Sequence, residues 1–198
     1  MLLYQLNYLI KVQKLYLMKN KFNHPLMFDN ISIEDRKVAA NYIKNNNIFT
    51  QSKKVKEFEA KWSKWLNVKY STYVNSGSSA NFISISILKF LNQNKNKNEI
   101  IVPALTWISD ISSVLLNGFK PVFVDINLNN LSMNEQQVLK KINKKTLAVF
   151  ITHAQGFNGL TNNLIKVLKK KKIYLIEDVC ESHGALLGKK KLGRFGLI

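Results

Sequence analysis

An apolar stretch of the chain, residues 173–176, ends directly in two acidic residues, Glu177 and Asp178. A charged side chain at the end of a buried strand is unfavourable unless another group satisfies it. A carboxylate in this position can pair with a protonated ring nitrogen of a bound ligand. Alternatively, one of the acids caps a following helix, and a Glu-Asp pair could supply one acid for each task.

A turn of small residues, NSGSSAN at 75–81, separates an apolar stretch from a predicted helix. Free backbone N–H groups and the positive end of the helix dipole favour a phosphate at such a turn. Gly77, Ser78 and Ser79 are therefore candidate phosphate-binding residues, because the serine hydroxyls add further donors. The alternative needs no ligand, since Ser76 or Ser78 could simply cap the helix.

An aromatic residue, Trp107, follows the apolar stretch at 98–103. Its ring could face a planar ligand, or it could anchor the next helix in the core. A phosphate-binding turn, an aromatic ring and an acid at a ring nitrogen are the contacts that pyridoxal 5′-phosphate (PLP) requires. This cofactor is an electron sink while its ring nitrogen stays charged. The three features, in this order, predict a PLP site.

Helix-like and strand-like segments alternate along the chain and predict an α/β fold. Strands rich in Val, Ile and Phe between helices indicate right-handed crossovers and a mainly parallel sheet. Such a sheet is covered on both faces, which gives three layers, and ligands gather at the carboxyl ends of its strands. The predicted helices span 32–46, 52–67, 78–92, 107–118, 134–143 and 161–172, and the predicted strands span 70–74, 98–103, 120–126, 146–152 and 173–178.

Composition narrows the class of protein further. The 198 residues suffice for one domain with a sizeable core. The net charge of +18 would suit binding to a nucleic acid. The lysines are scattered among asparagines, however, so we expect no nucleic-acid partner. No stretch reaches the ~20 apolar residues of a membrane span. The single cysteine, Cys180, excludes an internal disulfide, fits a reducing compartment and is interpreted as a packing residue.

The chain resembles the DegT/DnrJ/StrS family of PLP-dependent sugar aminotransferases, which have the aspartate-aminotransferase (type I) fold. The resemblance rests on VNSGSSAN, EIIVPALTW, NGFKPVFVDI and LIEDVCESHGALLGKKKLGRFG. It implies that residues 1–27 are an N-terminal extension and that 28–198 are a PLP-binding large domain. That domain is expected to be incomplete, because family members continue with the rest of the large domain and a small domain.

The same resemblance implies a role for each candidate residue. Gly77, Ser78 and Ser79 would bind the cofactor phosphate. Trp107 would stack on the pyridine ring, and Asp178 would bind the ring nitrogen.

Other residues of these motifs receive weaker assignments. Glu181 stands where many members carry a glutamine near the ring hydroxyl, and an ionised glutamate can only accept there. His183 is interpreted as supporting structure, whereas His153 could line the cleft or be satisfied in the core. The family's Schiff-base lysine lies beyond the motif matched by Gly193–Gly196, so it is expected beyond Ile198 and no catalytic residue is assigned.

By resemblance, the intact protein is a cytoplasmic homodimer that acts in surface polysaccharide or lipopolysaccharide biosynthesis. It would transfer an amino group from an amino acid such as glutamate to a keto-sugar nucleotide, and the chain alone is expected to be inactive. A subset of the family carries histidine in place of the lysine and acts as a sugar 3-dehydrase with pyridoxamine phosphate. The motifs resemble both groups equally. The non-enzyme alternatives are a basic nucleic-acid-binding module and a dead truncated protein.

Overall fold

The computed structural model describes residues 30–196. The predicted boundary between residues 27 and 28 lies outside this range. The chain divides into two compact units between Ser52 and Lys53. No helix within the described range is long and apolar enough to cross a membrane.

The first unit contains helix α1, Ile33–Asn45. Ser32 caps this helix, as the sequence predicts. The Ser32 hydroxyl accepts from the Asp35 N–H at 3.1 Å, and the Asp35 carboxylate accepts from the Ser32 N–H at 2.9 Å. This reciprocal capping box satisfies two N–H groups at the start of the helix.

The second unit contains the sheet and the remaining helices. Its helices are α2 (Lys53–Leu66), α3 (Gly77–Leu91), α4 (Ile108–Leu116), α5 (Glu135–Lys141) and α6 (Asn162–Lys171). Its main strands are β1 (Glu99–Pro103), β2 (Lys120–Val124), β3 (Thr146–Thr152) and β4 (Tyr174–Asp178). A short hairpin follows, formed by β5 (Leu186–Leu187) and β6 (Lys190–Lys191). Each of the predicted helices is confirmed, as are all of the predicted strands except 70–74.

The four main strands form one parallel sheet in the order β2-β1-β3-β4. Successive side chains of a strand point to opposite faces. Ile100 and Val102 of β1 therefore pack with α3 and α4, whereas Ile101 packs with α5 and α6. Both faces of the sheet are covered, which confirms the predicted three-layer α/β/α architecture.

The strand order reverses between β1 and β3. The chain leaves β1 for β2 on one side, and it then crosses back over β1 to reach β3. Open α/β sheets bind ligands at such a switch point, beyond the carboxyl ends of the strands. Strand β4 extends this edge, since Asp178 lies beside Thr152 in the ladder. The ends of β1, β3 and β4 thus bring their following loops together.

The predicted strand at 70–74 is wrong, because in the described chain this segment pairs with no other strand. Its β-branched and aromatic residues pack on a helix instead. The Tyr73 N–H donates to the Glu59 carboxylate at 2.8 Å, and the Tyr73 ring lies edge-on to Phe58 at 5.6 Å. Side-chain contacts with α2 thus replace the ladder that the pattern predicted.

Candidate active site

The turn before α3 presents unused backbone donors. Ser76 caps the helix, and its hydroxyl accepts from the Ser79 N–H at 3.1 Å. Gly77 and Ser78 come just before Ser79. Within residues 30–196 their N–H groups have no hydrogen-bond partner, as is usual in the first turn of a helix. A Cβ atom placed on Gly77 would meet no atom within 4 Å, so the space in front of the turn is open. This geometry suits an anion such as phosphate.

Asp178 ends β4 with part of its carboxylate still available. Its Oδ2 accepts from the Asn81 amide at 3.1 Å, and its Oδ1 accepts from the Cys180 N–H at 2.9 Å. A carboxylate can accept about four hydrogen bonds. The half-buried Asp178 can therefore receive a further donor, such as a protonated ring nitrogen.

One cavity of about 680 Å³ brings most of the predicted residues together at the carboxyl ends of β1, β3 and β4. Its lining includes Gly77, Ser78, Trp107, Asp178 and Glu181. Trp107 precedes α4 and is 68% exposed, so the alternative that it anchors the helix in the core is wrong. An anion-binding turn, an accessible aromatic side chain and an acid with spare acceptors thus share one space, which fits a flat phosphorylated heterocycle with a protonated ring nitrogen.

Ser79 is the one predicted residue outside this lining. It borders a neighbouring groove between α3 and α4. Its hydroxyl accepts from the Ser76 hydroxyl at 3.1 Å.

Sequence reasoning missed a polar network beneath Asp178. The Asn81 amide donates to Asp110 Oδ1 at 2.7 Å as well as to Asp178. Asp110 Oδ2 accepts from the Thr152 hydroxyl at 2.7 Å and from the Thr106 hydroxyl. Burial raises the pKa of the Asp110 carboxyl, the two hydroxyls lower it and the charge of Asp178 raises it, and the net result is a pKa of about 6.

A weak sequence signal for this network existed. The buried face of α4 carries Ser109, Asp110 and Ser113 beside the apolar Val114. An acid in a first helical turn is normally explained by the helix dipole, so the sequence alone does not single out Asp110.

Glu177 points to the other side of β4. Its carboxylate accepts from His153 Nε2 at 3.3 Å and from the N–H groups of Gly193, Phe195 and Gly196 at 2.7–3.0 Å. Burial alone would raise the pKa of Glu177, but these hydrogen bonds hold it below its ordinary value. Residues 179–184 form turns rather than a helix, so the alternative of a helix-capping acid is wrong.

His153 is a satisfied core histidine rather than a cleft residue. Its side chain is fully buried and lies outside the cavity lining. Its Nδ1 accepts from the Gly159 N–H at 3.1 Å, so Nε2 carries the hydrogen that is donated to Glu177. Glu177 thus bonds both to His153 in the loop after β3 and to residues 193–196 in the loop after β6, and it holds these two loops together.

The remaining motif residues fall into two groups. Glu181 lies at the cavity, where its carboxylate accepts from the Gln155 N–H at 2.7 Å. Cys180 is exposed at the cavity, so its interpretation as a packing residue is wrong. Partial burial and three nearby acids raise the pKa of its thiol, which disfavours a nucleophilic thiolate. His183 lies outside the cavity lining and packs edge-on against Trp62 at 5.3 Å, which agrees with its interpretation as supporting structure.

Known proteins provide an independent comparison. Residues 30–198 match the DegT/DnrJ/EryC1/StrS aminotransferase family. The chain is 33% identical over 162 residues to GDP-4-keto-6-deoxy-D-mannose 3-dehydratase of Yersinia pseudotuberculosis, covering 81% of this chain and 41% of that protein. It is 30% identical over 172 residues to GDP-perosamine synthase of Vibrio cholerae, covering 87% and 46% respectively.

A solved structure shows the same fold. The E. coli GDP-4-keto-6-deoxy-D-mannose-3-dehydratase with bound hydrated PLP superposes with a TM-score of 0.80 at 30% identity. The superposition covers 88% of this chain and 45% of that one. The chain thus spans less than half the length of these relatives. Together with the family match over residues 30–198, these similarities show that the chain belongs to the DegT/DnrJ/EryC1/StrS aminotransferase family, a family of enzymes.

Proposed function

We propose that residues 28–198 are part of the PLP-binding large domain of an enzyme that acts on a nucleotide-linked keto-sugar. One observation carries the proposal. The turn at Gly77 and Ser78, Trp107 before α4, and Asp178 at the end of β4 are far apart in the sequence, yet they line a single cavity of about 680 Å³. Their donors, aromatic surface and acceptors match the three parts of the cofactor.

Each residue of the site has a distinct role in this proposal. The N–H groups of Gly77 and Ser78 bind the phosphate at the positive end of α3. The Ser79 hydroxyl gives up its hydrogen bond with the Ser76 hydroxyl and bonds to the phosphate instead. Trp107 packs on the ring, which excludes water from that face.

The acids control the charge of the ring. When bound, PLP supplies an electron sink for chemistry at carbon. The Asp178 carboxylate keeps a proton on the ring nitrogen, and Glu181, oriented by the Gln155 N–H, accepts from the ring hydroxyl. No residue of this chain is assigned the role of the Schiff-base lysine.

The proposed reaction is transfer of an amino group from an amino acid such as glutamate to the keto-sugar. The relationship to a GDP-perosamine synthase supports a nucleotide-linked substrate. Such sugars serve surface polysaccharide synthesis before export, so we place the enzyme in the cytoplasm.

Dehydration at carbon 3 of the sugar is the second candidate. Its support is the 33% identity with a 3-dehydratase, slightly above the 30% with the synthase. Mass spectrometry of the sugar nucleotide distinguishes the two reactions. Transfer adds nitrogen from ¹⁵N-labelled glutamate, whereas dehydration removes a hydroxyl group.

A second copy of the chain is the proposed partner. Helix α3 exposes apolar residues on the side away from the sheet, and α4 adds exposed apolar residues near its ends. A contiguous exposed apolar surface is normally covered by a partner. The side chains available for a homodimer interface are Phe82, Ile83, Ile87, Phe90, Ile108, Leu115 and Leu116.

Calorimetric titration with 4′-deoxypyridoxine 5′-phosphate tests the cofactor assignment. This probe has no aldehyde and cannot react with surface lysines. We expect one site per chain, competition by inorganic phosphate, and a loss of roughly 10- to 100-fold in affinity for Asp178→Asn, because a charge-assisted hydrogen bond disappears.

Glu135→Gln is the matched control, since it removes one negative charge from a different part of the surface. Its affinity for the probe should equal that of the unmodified chain. Absence of binding, or equal affinities for the chain and Asp178→Asn, would contradict the proposed function.

A further inference from the structure

A second carboxyl group lies close to Asp178, and no cationic side chain of residues 30–196 bonds to it. Asp110 of α4 is fully buried. Among residues 30–196, its partners are the Asn81 amide and the hydroxyls of Thr106 and Thr152. Buried carboxylates are usually paired with a cation, because burial of an unpaired charge is unfavourable. The burial of the Asp110 carboxyl with only neutral partners therefore needs an explanation beyond packing.

Asn81 connects the two acids. Its side-chain nitrogen lies 2.7 Å from Asp110 Oδ1 and 3.1 Å from Asp178 Oδ2. An amide has two N–H groups, so one can serve each carboxylate, although the Ser109 hydroxyl oxygen, 3.1 Å from the same nitrogen, shares one of them. The orientation of Asp178 therefore depends on Asp110, although the residues come from different elements, α4 and β4.

The strand order places this connection under the cavity. Thr106 follows β1 and Thr152 ends β3, the two strands that flank the switch point, and their hydroxyls lie 2.6 Å apart. Both hydroxyls contact the same oxygen of Asp110. Asp110 is thus anchored to the two strand ends that form the floor of the cavity.

We propose that Asp110 is a positioning residue for Asp178. It fixes the Asp178 carboxylate through Asn81, and it places a second negative charge behind that carboxylate. The pair then binds a cationic ring nitrogen more tightly than Asp178 alone. The inference rests on the proposed function, because the ring nitrogen is that of PLP.

The surroundings of Asp110 define its titration. Asp178 on β4 and Cys180 after it are the titratable groups that interact with it, and α3 and the strand ends contribute only an amide and hydroxyls. Burial, together with the charge of Asp178, raises the pKa of Asp110 from 3.8 to about 6. The protonated Asp110 therefore stabilises the fold fully at pH values below its ordinary pKa of 3.8. This stabilisation is lost as pH rises through about 6, where the folded carboxyl ionises.

Urea unfolding of the unliganded chain between pH 4 and 7.5 is the first test. Asp110→Asn has the shape of the protonated acid, since its oxygen can accept from Asn81 and its nitrogen can donate to a threonine. The unfolding free energy of the unmodified chain should fall as pH rises through about 6, and that of Asp110→Asn should lack this fall. Equal pH slopes would overturn the inference.

Thr152→Val provides a second variant with nearly the same shape. It removes one of the hydroxyls that lower the pKa of Asp110. The midpoint of the stability change should therefore move to higher pH. An unchanged midpoint would show that the Thr152 hydroxyl does not stabilise the charged form of Asp110, and it counts against the inference.

Binding of 4′-deoxypyridoxine 5′-phosphate at pH 7.5 is the last test. Loss of a charge behind Asp178 should weaken the affinity of Asp110→Asn roughly 3- to 10-fold, while Glu135→Gln binds normally. Equal affinities would overturn the inference. An unmodified chain that binds no probe would contradict the proposed function instead, and the unliganded titrations would still test whether Asp110 titrates near pH 6 in the fold.

Discussion

Glu177 and Asp178 are neighbours on β4, but their carboxylates lie in opposite environments. Glu177 is fully buried at its side chain and accepts four hydrogen bonds from His153 and the loop 193–196. Asp178 is half-buried, accepts two, and faces a cavity. A carboxylate whose acceptors are all used by its own chain stabilises the fold, whereas one with spare acceptors at a cavity can bind a ligand.

The substitution Glu177→Gln should have the largest effect, which is a loss of stability. The amide can neither accept all of the donors nor carry the charge that they stabilise. We expect the unfolding free energy in urea to fall by about 3 kcal/mol at pH 7. Because the pKa of Glu177 is lowered in the fold, this difference should be complete above the ordinary value of 4.5 and should shrink as pH falls below that value.

Asp178→Asn is the matched control on the same strand. Its unfolding free energy should change by less than about 1 kcal/mol, because the residue has few donors and lies near another acid. Equal losses of stability for the two amide variants would remove the distinction between the two sides of β4.

A smaller effect is expected from two glycine variants. Gly193, which donates to Glu177, has φ +83°, and an added Cβ would lie 3.3 Å from Val179. Gly193→Ala should therefore lose about 1–2 kcal/mol of unfolding free energy. Gly77→Ala meets open space and should not be destabilised. Thermal unfolding measures both, and a tolerated Gly193→Ala would show that the loop after β6 is not fixed as described.

The fold was largely predictable because its signals are local. Helices such as α2 show a 3.6-residue apolar period, and buried parallel strands such as β3 are continuous apolar runs. The segment 70–74 has strand-like residues too, but a strand also needs a partner. Local composition does not reveal that Glu59 takes the Tyr73 N–H instead.

The candidate site was predictable in part, since the turn at Gly77, Trp107 and Asp178 each follow or precede an element boundary. The division of tasks between Glu177 and Asp178 was assigned only by family resemblance. Asp110 escaped detection because its contacts with Asn81 and Asp178 are 29 and 68 positions away along the chain. Tertiary contacts of this kind leave almost no pattern in the sequence.

The most direct test of this account is the protonation of a bound ring nitrogen. The ultraviolet absorbance of 4′-deoxypyridoxine 5′-phosphate, bound to the chain and followed against pH, reports that proton. If Asp178 binds the ring as proposed, the ring nitrogen pKa should rise by about one unit or more relative to the free probe, and Asp178→Asn should abolish the rise. A bound probe that titrates like the free one would contradict the central claim.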